Sequence, residues 1–127
     1  MKKTVLLLLP IAALVIALSS FLTRPAGESV NSGDAKEVLK AHCYGCHSDA
    51  SSGKISKTAL NFDKWDEYKL SKKISKLAQI CEELEKGKMP PKKFLKSNPD
   101  KALSDEQKQL ICKWTVTESE KLMESLQ

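Results

Sequence analysis

Two cysteines and a histidine stand close together as Cys43, Cys46 and His47, in the run Cys-Tyr-Gly-Cys-His. Two thiols at this spacing can each add to a vinyl group on one edge of a porphyrin, and the adjacent imidazole can ligate the iron. C-x-x-C-H is the attachment signature of c-type haem. A structural zinc site suits the run poorly, since no second C-x-x-C or H-x-x-x-H pair occurs. A thioredoxin-like dithiol stays open as an alternative.

The segment Gly87-Lys88-Met89-Pro90-Pro91 is the second chemical feature. Haem iron can accept a thioether as its sixth ligand, and a His/Met pair raises the reduction potential relative to harder ligands. A loop restricted by prolines can hold the sulfur of Met89 against a metal without helical constraint. The alternative is that Met89 fills the core, as most methionines do. We expect His47 and Met89 to be the two metal ligands.

In the segments that must position these residues, the pattern of residues is mostly typical of helices. A first helix is expected from Asp34 toward the cysteines, and a second over residues 70–86, where apolar residues recur every three or four positions. Gly87 is expected to cap the second helix. Ser104 and Gln107 form a predicted capping box that begins a third helix. The prolines between the second and third helices predict an irregular connection there.

These motifs together resemble the small haem-binding domain family of exported monohaem c-type cytochromes, over roughly residues 41–118. The resemblance implies an all-α, cytochrome c-like domain around one covalent haem c, attached through Cys43 and Cys46, with His47 and Met89 as axial ligands. Residues 49–54 depart from the family, in which aromatic residues and an Asn commonly follow the attachment motif. The shared elements are Cys43-Tyr44-Gly45-Cys46-His47-Ser48, Leu60-Asn61-Phe62 with Trp65, Gly87-Lys88-Met89-Pro90-Pro91, and Leu103-Ser104 with Glu106, Ile111 and Trp114.

Two aromatic residues are predicted to contact the cofactor. Phe62 is expected in the haem pocket or in the adjoining core. Trp65 could donate its indole N–H to a haem propionate, or it could pack against the second helix. His42 is expected to be an exposed helix residue, because His47 has the attachment geometry.

Cys81 and Cys112 are the remaining cysteines of the chain. In an oxidising compartment a leftover pair favours a disulfide, which here would join the second helix to the third. Against this, Cys112 lies off the apolar face of its helix, so the side chains need not meet. Two separate buried thiols are therefore the alternative.

The N-terminus carries an export signal. Lys2 and Lys3 precede an apolar stretch over residues 5–22, which would reach roughly 27 Å as a helix, close to one hydrocarbon core. Residues 1–23 are thus a signal peptide or an uncleaved membrane anchor, residues 24–33 a flexible linker and residues 34–127 the haem-binding domain. We expect the domain to be anchored on the periplasmic side of the inner membrane; the alternative is a cleaved protein, soluble in the periplasm.

Charge argues against a nucleic-acid partner. The formal net charge is +5 and falls to +2 once Lys2, Lys3 and Arg24 are set aside. Five lysines nevertheless surround Met89, and they could face an acidic redox partner protein or simply water. We expect an electron-transfer protein and not an enzyme, since no other cluster of titratable residues accompanies the haem motif. The alternative function is a haem-based ligand-binding or sensing domain with an open sixth coordination site.

Overall fold

The structure, a computed structural model, describes residues 32–127. Those residues form helices and connecting turns without any β-strand, which confirms the all-α prediction. None of the helices in this range is long and apolar enough to cross a membrane. The predicted signal or anchor over residues 1–23, and the linker up to residue 31, lie outside the described residues. The helices are α1 (Ser32–His42), α2 (Lys54–Ala59), α3 (Leu70–Glu85), α4 (Lys92–Ser97) and α5 (Asp105–Glu124), with short 3-10 turns at Trp65–Glu67 and Pro99–Lys101.

Helix α3 ends where its sequence predicts. Gly87 adopts φ +63°, and a left-handed residue at this position costs glycine little because it has no Cβ. The N–H of Lys88 donates to the carbonyl of Glu83 at 3.0 Å, and that of Gly87 donates to the carbonyl of Leu84 at 3.0 Å. This is the hydrogen-bond pattern of a Schellman motif, and it turns the chain toward Met89.

Helix α5 is the element on which the other long helices pack. It contacts both α3 and α1, and it begins with the capping box formed by Ser104 and Gln107, as predicted. The buried apolar core between these helices and the adjoining segments comprises Ala35, Leu39, Phe62, Leu77, Leu84, Leu103, Ile111 and Trp114.

Cys81 and Cys112 form a disulfide that joins α3 to α5, with their Cα atoms 4.9 Å apart. This decides the alternative that the sequence left open. The position of Cys112 relative to the apolar face was misleading, because close packing of α3 on α5 brings the flank of one helix to the other.

Two short helices fall where the sequence predicted no helix. α4 follows Pro91, although the prolines predicted an irregular connection. Proline lacks an N–H to donate, but the start of a helix needs none there, so Pro91 can serve as the N-cap. α2 begins at Lys54, the last residue of the segment that departs from the family pattern. Both helices contribute residues to the cleft described below.

Candidate functional site

The cysteine motif forms one helical turn directly after α1. The N–H of Cys43 donates to the carbonyl of Leu39 at 2.8 Å, while those of Cys46 and His47 donate to the carbonyl of Cys43 at 3.1 and 3.0 Å. Residues three and four positions apart in such a turn lie on the same face. The two sulfurs and the imidazole are therefore presented together, and all three residues line the same cleft.

The cleft is open at its mouth, and its enclosed volume is about 160 Å³. This is smaller than the roughly 300–1,000 Å³ that is usual for ligand and cofactor sites, so a ligand of porphyrin size would extend beyond the cleft. Its walls are mostly apolar, with a few polar side chains from α3. The lining comprises Leu39, His42, Cys43, Cys46, His47, Ala59, Leu60, Phe62, Lys76, Gln79, Ile80, Glu83, Leu84, Met89, Pro90, Pro91, Phe94 and Leu103.

The imidazole of His47 is held by two backbone carbonyls. Its Nδ1 lies 3.0 Å from the carbonyl oxygen of Ser56 and 3.1 Å from that of Leu60. Carbonyl oxygens can only accept, so Nδ1 must carry the proton and donate it. Nε2 is then the ring nitrogen with a lone pair, which is the arrangement found in metal-ligating histidines.

Ser56 links α2 to the cysteine motif. Its hydroxyl donates to the carbonyl of Cys46 at 2.7 Å, in addition to the contact between its own carbonyl and His47. α2 therefore supplies one of the two acceptors that orient the imidazole, through the carbonyl of Ser56.

Met89, the predicted sixth ligand, lines the cleft and is 37% exposed. The N–H groups of Lys88 and Met89 both donate to the carbonyl of Glu83, at 3.0 and 3.3 Å, which fixes the start of the loop. Phe94 of α4 lies in the same wall of the cleft. The cleft thus brings His47 and Met89, one imidazole and one thioether, into the same site.

Cys43 and Cys46 are free thiols. Burial raises the pKa of the Cys43 thiol to about 11, and the neighbouring Cys46 adds to this rise. Cys43 is therefore held protonated at neutral pH and is a poor nucleophile without assistance.

The two predicted aromatic residues lie in different places. Phe62 is 9% exposed and lines the cleft, and its ring stacks on Tyr44 with centroids 4.8 Å apart. Trp65 is half-buried against the core and is not among the cleft-lining residues. Its ring lies edge-on to Tyr68 at 5.9 Å. The structure brings Phe62 together with the cysteines and His47, and it places Trp65 apart from them.

His42 is a cleft residue that the sequence did not indicate. It is half-buried, and its Nδ1 lies 3.0 Å from the carbonyl oxygen of Lys101. The expectation of an exposed helix residue was wrong, because the turn at Pro99–Lys101 folds back over the end of α1. No local signal could have indicated this, since the contact spans 59 positions.

Family comparison agrees with this site. Residues 54–117, just over half of the chain, match the model of a family described as the haem-binding domain. The chain belongs to the haem-binding domain family. The match begins after the cysteine motif, so covalent attachment rests on the motif itself. The comparisons with curated proteins and with solved structures gave no significant match.

The residues of this haem-binding domain fit the cofactor that its family binds. The apolar cleft wall can contact a porphyrin, and in the neutral imidazole of His47 the Nδ1 contacts leave Nε2 as the nitrogen that can ligate its iron. The one other candidate metal cluster among residues 32–127 comprises Cys81, Glu85 and Cys112. Its two sulfurs are bonded to each other, so neither is available as a thiolate ligand.

Proposed function

We propose that this protein is a monohaem c-type cytochrome that transfers electrons, with one haem c bound covalently through Cys43 and Cys46 and with His47 and Met89 as axial ligands. The observation that carries the proposal is the double carbonyl contact of His47, which prepares Nε2 for a metal in the cleft that also contains both thiols and Met89. Haem would supply one-electron exchange at its iron.

The two thiols provide the attachment. Each S–H group would add across a vinyl group, with the sulfur bonding to one carbon and the hydrogen to the other, so no oxidant would be consumed. The reaction requires both sulfurs to be reduced, and the free state of Cys43 and Cys46 is consistent with this. In the folded chain the raised pKa of Cys43 keeps its thiol protonated at neutral pH, which disfavours unassisted addition.

Met89 supports electron transfer over ligand sensing. An iron with both axial positions occupied by protein side chains has no open position for a substrate or a gas. We therefore propose a carrier without enzymatic activity. Phe62 lies edge-on to His47, with ring centroids 6.4 Å apart, and with the apolar cleft wall it would limit the access of water to that side of a bound haem.

The proposed partner is an acidic redox protein that docks beside Met89. Lys92, Lys93 and Lys96 project from α4 and are exposed. None of them forms an ion pair with any residue in the range 32–127, whereas Lys86 and Lys88 are paired with Glu82 and Glu83. Unpaired charge of one sign next to the cleft would mainly accelerate encounter with an acidic surface.

The proposed location is the periplasmic side of the inner membrane, with residues 1–23 as the anchor. The disulfide between Cys81 and Cys112 supports an oxidising compartment. A flexible linker over residues 24–31, up to the start of α1, would have a typical reach of about 16 Å, enough to let the domain reorient near its partners.

The proposal is tested by the absorbance spectrum of the reduced full-length protein, with and without carbon monoxide, combined with a reversible redox titration. We expect a low-spin spectrum that carbon monoxide does not change, and a single one-electron transition. A spectrum shifted by carbon monoxide would favour the alternative function, a ligand-binding domain with an open site.

A further inference from the structure

Asn61 is a buried polar residue to which the proposed function assigns no role. It is 4% exposed. Its Nδ2 donates to Oδ1 of Asp49 at 2.8 Å, and its Oδ1 accepts from the backbone N–H of Asp63 at 3.0 Å. A carboxylate can only accept and a backbone N–H can only donate, so the two partners determine which end of the amide is which.

The backbone on both sides of Asn61 contacts His47. The carbonyl oxygen of Leu60 accepts from Nδ1 of His47 at 3.1 Å, and the N–H of Phe62 donates to the carbonyl of His47 at 2.9 Å. A displacement of this segment would therefore change the direction of the imidazole. The contacts that fix the position of this segment relative to His47 therefore determine the direction of the imidazole ring.

The side chain of Asn61 fixes this position by its hydrogen bond to Asp49, which lies two positions after His47. The backbone N–H of Asp49 in turn donates to Oδ2 of Asp63 at 2.8 Å, which closes a ring of three hydrogen bonds. The N–H of Asn61 itself donates to the hydroxyl of Tyr68 at 2.9 Å and anchors the segment from the other side.

We propose that Asn61, acting through Asp49, is a positioning residue that sets the orientation of the His47 imidazole. The inference rests on the proposed role of His47 as an iron ligand. Groups that hold a ligating histidine are often worth about 10–100-fold in metal affinity or activity, because they fix both the tautomer and the ring direction. Asn61 acts one step further out, by fixing a carbonyl that holds the ring.

Two substitutions at Asp49 separate the hydrogen bond from the charge. Asp49→Asn and Asp49→Ala remove the same negative charge, but only Asp49→Asn keeps an oxygen that can accept from Nδ2 of Asn61. Asp49 lies at the surface, so neither variant should compromise folding. Asn61→Leu, of similar size, removes both side-chain hydrogen bonds. Asp66→Ala is the control, since it removes an exposed carboxylate from the same part of the chain.

The readout is the electron paramagnetic resonance spectrum of the ferric, haem-loaded full-length protein, whose g values depend on axial ligand orientation. We expect shifted or broadened g values in Asp49→Ala, larger changes in Asn61→Leu, and wild-type values in Asp49→Asn and Asp66→Ala. If Asn61→Leu does not fold, the two Asp49 variants still decide the matter.

Wild-type g values in Asp49→Ala, together with a lower denaturation midpoint, would make Asn61 a purely structural residue and overturn the proposal. Equal shifts in Asp49→Asn and Asp49→Ala would also overturn it, because charge and not hydrogen bonding would then be responsible. If the wild-type protein shows no low-spin ferric signal, the proposed ligation is wrong, and this inference fails with it.

Discussion

The two cysteine pairs of the domain differ in chemical state and in location. Cys81 and Cys112 come from two long helices, are joined by a disulfide and lie outside the cleft. Cys43 and Cys46 come from a single turn, remain thiols and line the cleft beside His47. The packing of α3 on α5 thus joins one pair, whereas the other pair remains as two thiols next to a histidine.

The largest expected effect is on haem retention. Replacing both Cys43 and Cys46 by Ala should abolish covalent attachment completely, because no thiol remains in the cleft. Haem staining after a denaturing gel measures this. The matched control replaces Cys81 and Cys112 by Ser and should keep the stain; loss of staining in that control alone would reverse the roles assigned to the two pairs.

Removing the sulfur of Met89 should have the next largest effect. Under the proposed ligation, Met89→Ala would open the sixth position of the iron, so we expect the reduced variant to bind carbon monoxide and its absorbance bands to shift. Met123→Ala is the control, since Met123 is 45% exposed, similar to Met89, and does not line the cleft. Identical spectra for wild type and Met89→Ala would return Met89 to a packing role.

Loss of the disulfide should lower the stability of the fold without changing the cleft that contains His47 and Met89. The crosslink joins residues 31 positions apart, and closing a loop of this length is worth about 3–4 kcal/mol in the chain-entropy model. Replacing Cys81 and Cys112 by Ser should lower the free energy of unfolding by about this amount in denaturant titrations. The absorbance spectrum should stay that of the wild type, and a changed spectrum would mean that the disulfide also shapes the cleft.

The thiol of Cys43 should react slowly in the haem-free protein. With a pKa of about 11, its thiolate fraction at pH 7 is only about 1 in 10,000. The Cys46→Ala variant keeps the burial of Cys43 but lacks the smaller contribution of Cys46. Its alkylation should therefore continue to accelerate with pH above 9.0, whereas the denatured chain should level off near this ordinary value. Identical pH profiles for the folded and denatured chains would refute the effect of burial.

The same shift makes stability dependent on pH. The folded state binds the proton of Cys43 more tightly than the unfolded chain does, so its contribution to stability is complete below about pH 9. That contribution decreases as the pH rises toward 11. Thermal melts of the haem-free protein across this interval would show a decline that the Cys43→Ala variant lacks.

Local features of the fold could be predicted from the sequence, because their causes are local. The capping box at Ser104 and the glycine cap at Gly87 depend on residues within one turn. The cysteine motif and Met89 were likewise identified from adjacent residues, and the structure places them in one cleft.

Features that depend on distant contacts could not be predicted. The partner of Cys112 and the burial of His42 follow from how helices and turns pack, which spacing does not reveal. Asn61 was noticed as part of a motif, but its bonds to Asp49 and Asp63 appear only once the two segments meet.

The central claim is that Cys43 and Cys46 hold one haem covalently while Cys81 and Cys112 hold none. The most direct test is intact mass spectrometry of the full-length protein after acid-acetone extraction, following expression with a haem-maturation system. The account predicts a mass larger than the polypeptide by one haem, with the increment on the peptide that contains Cys43 and Cys46. A mass equal to that of the bare polypeptide would contradict it.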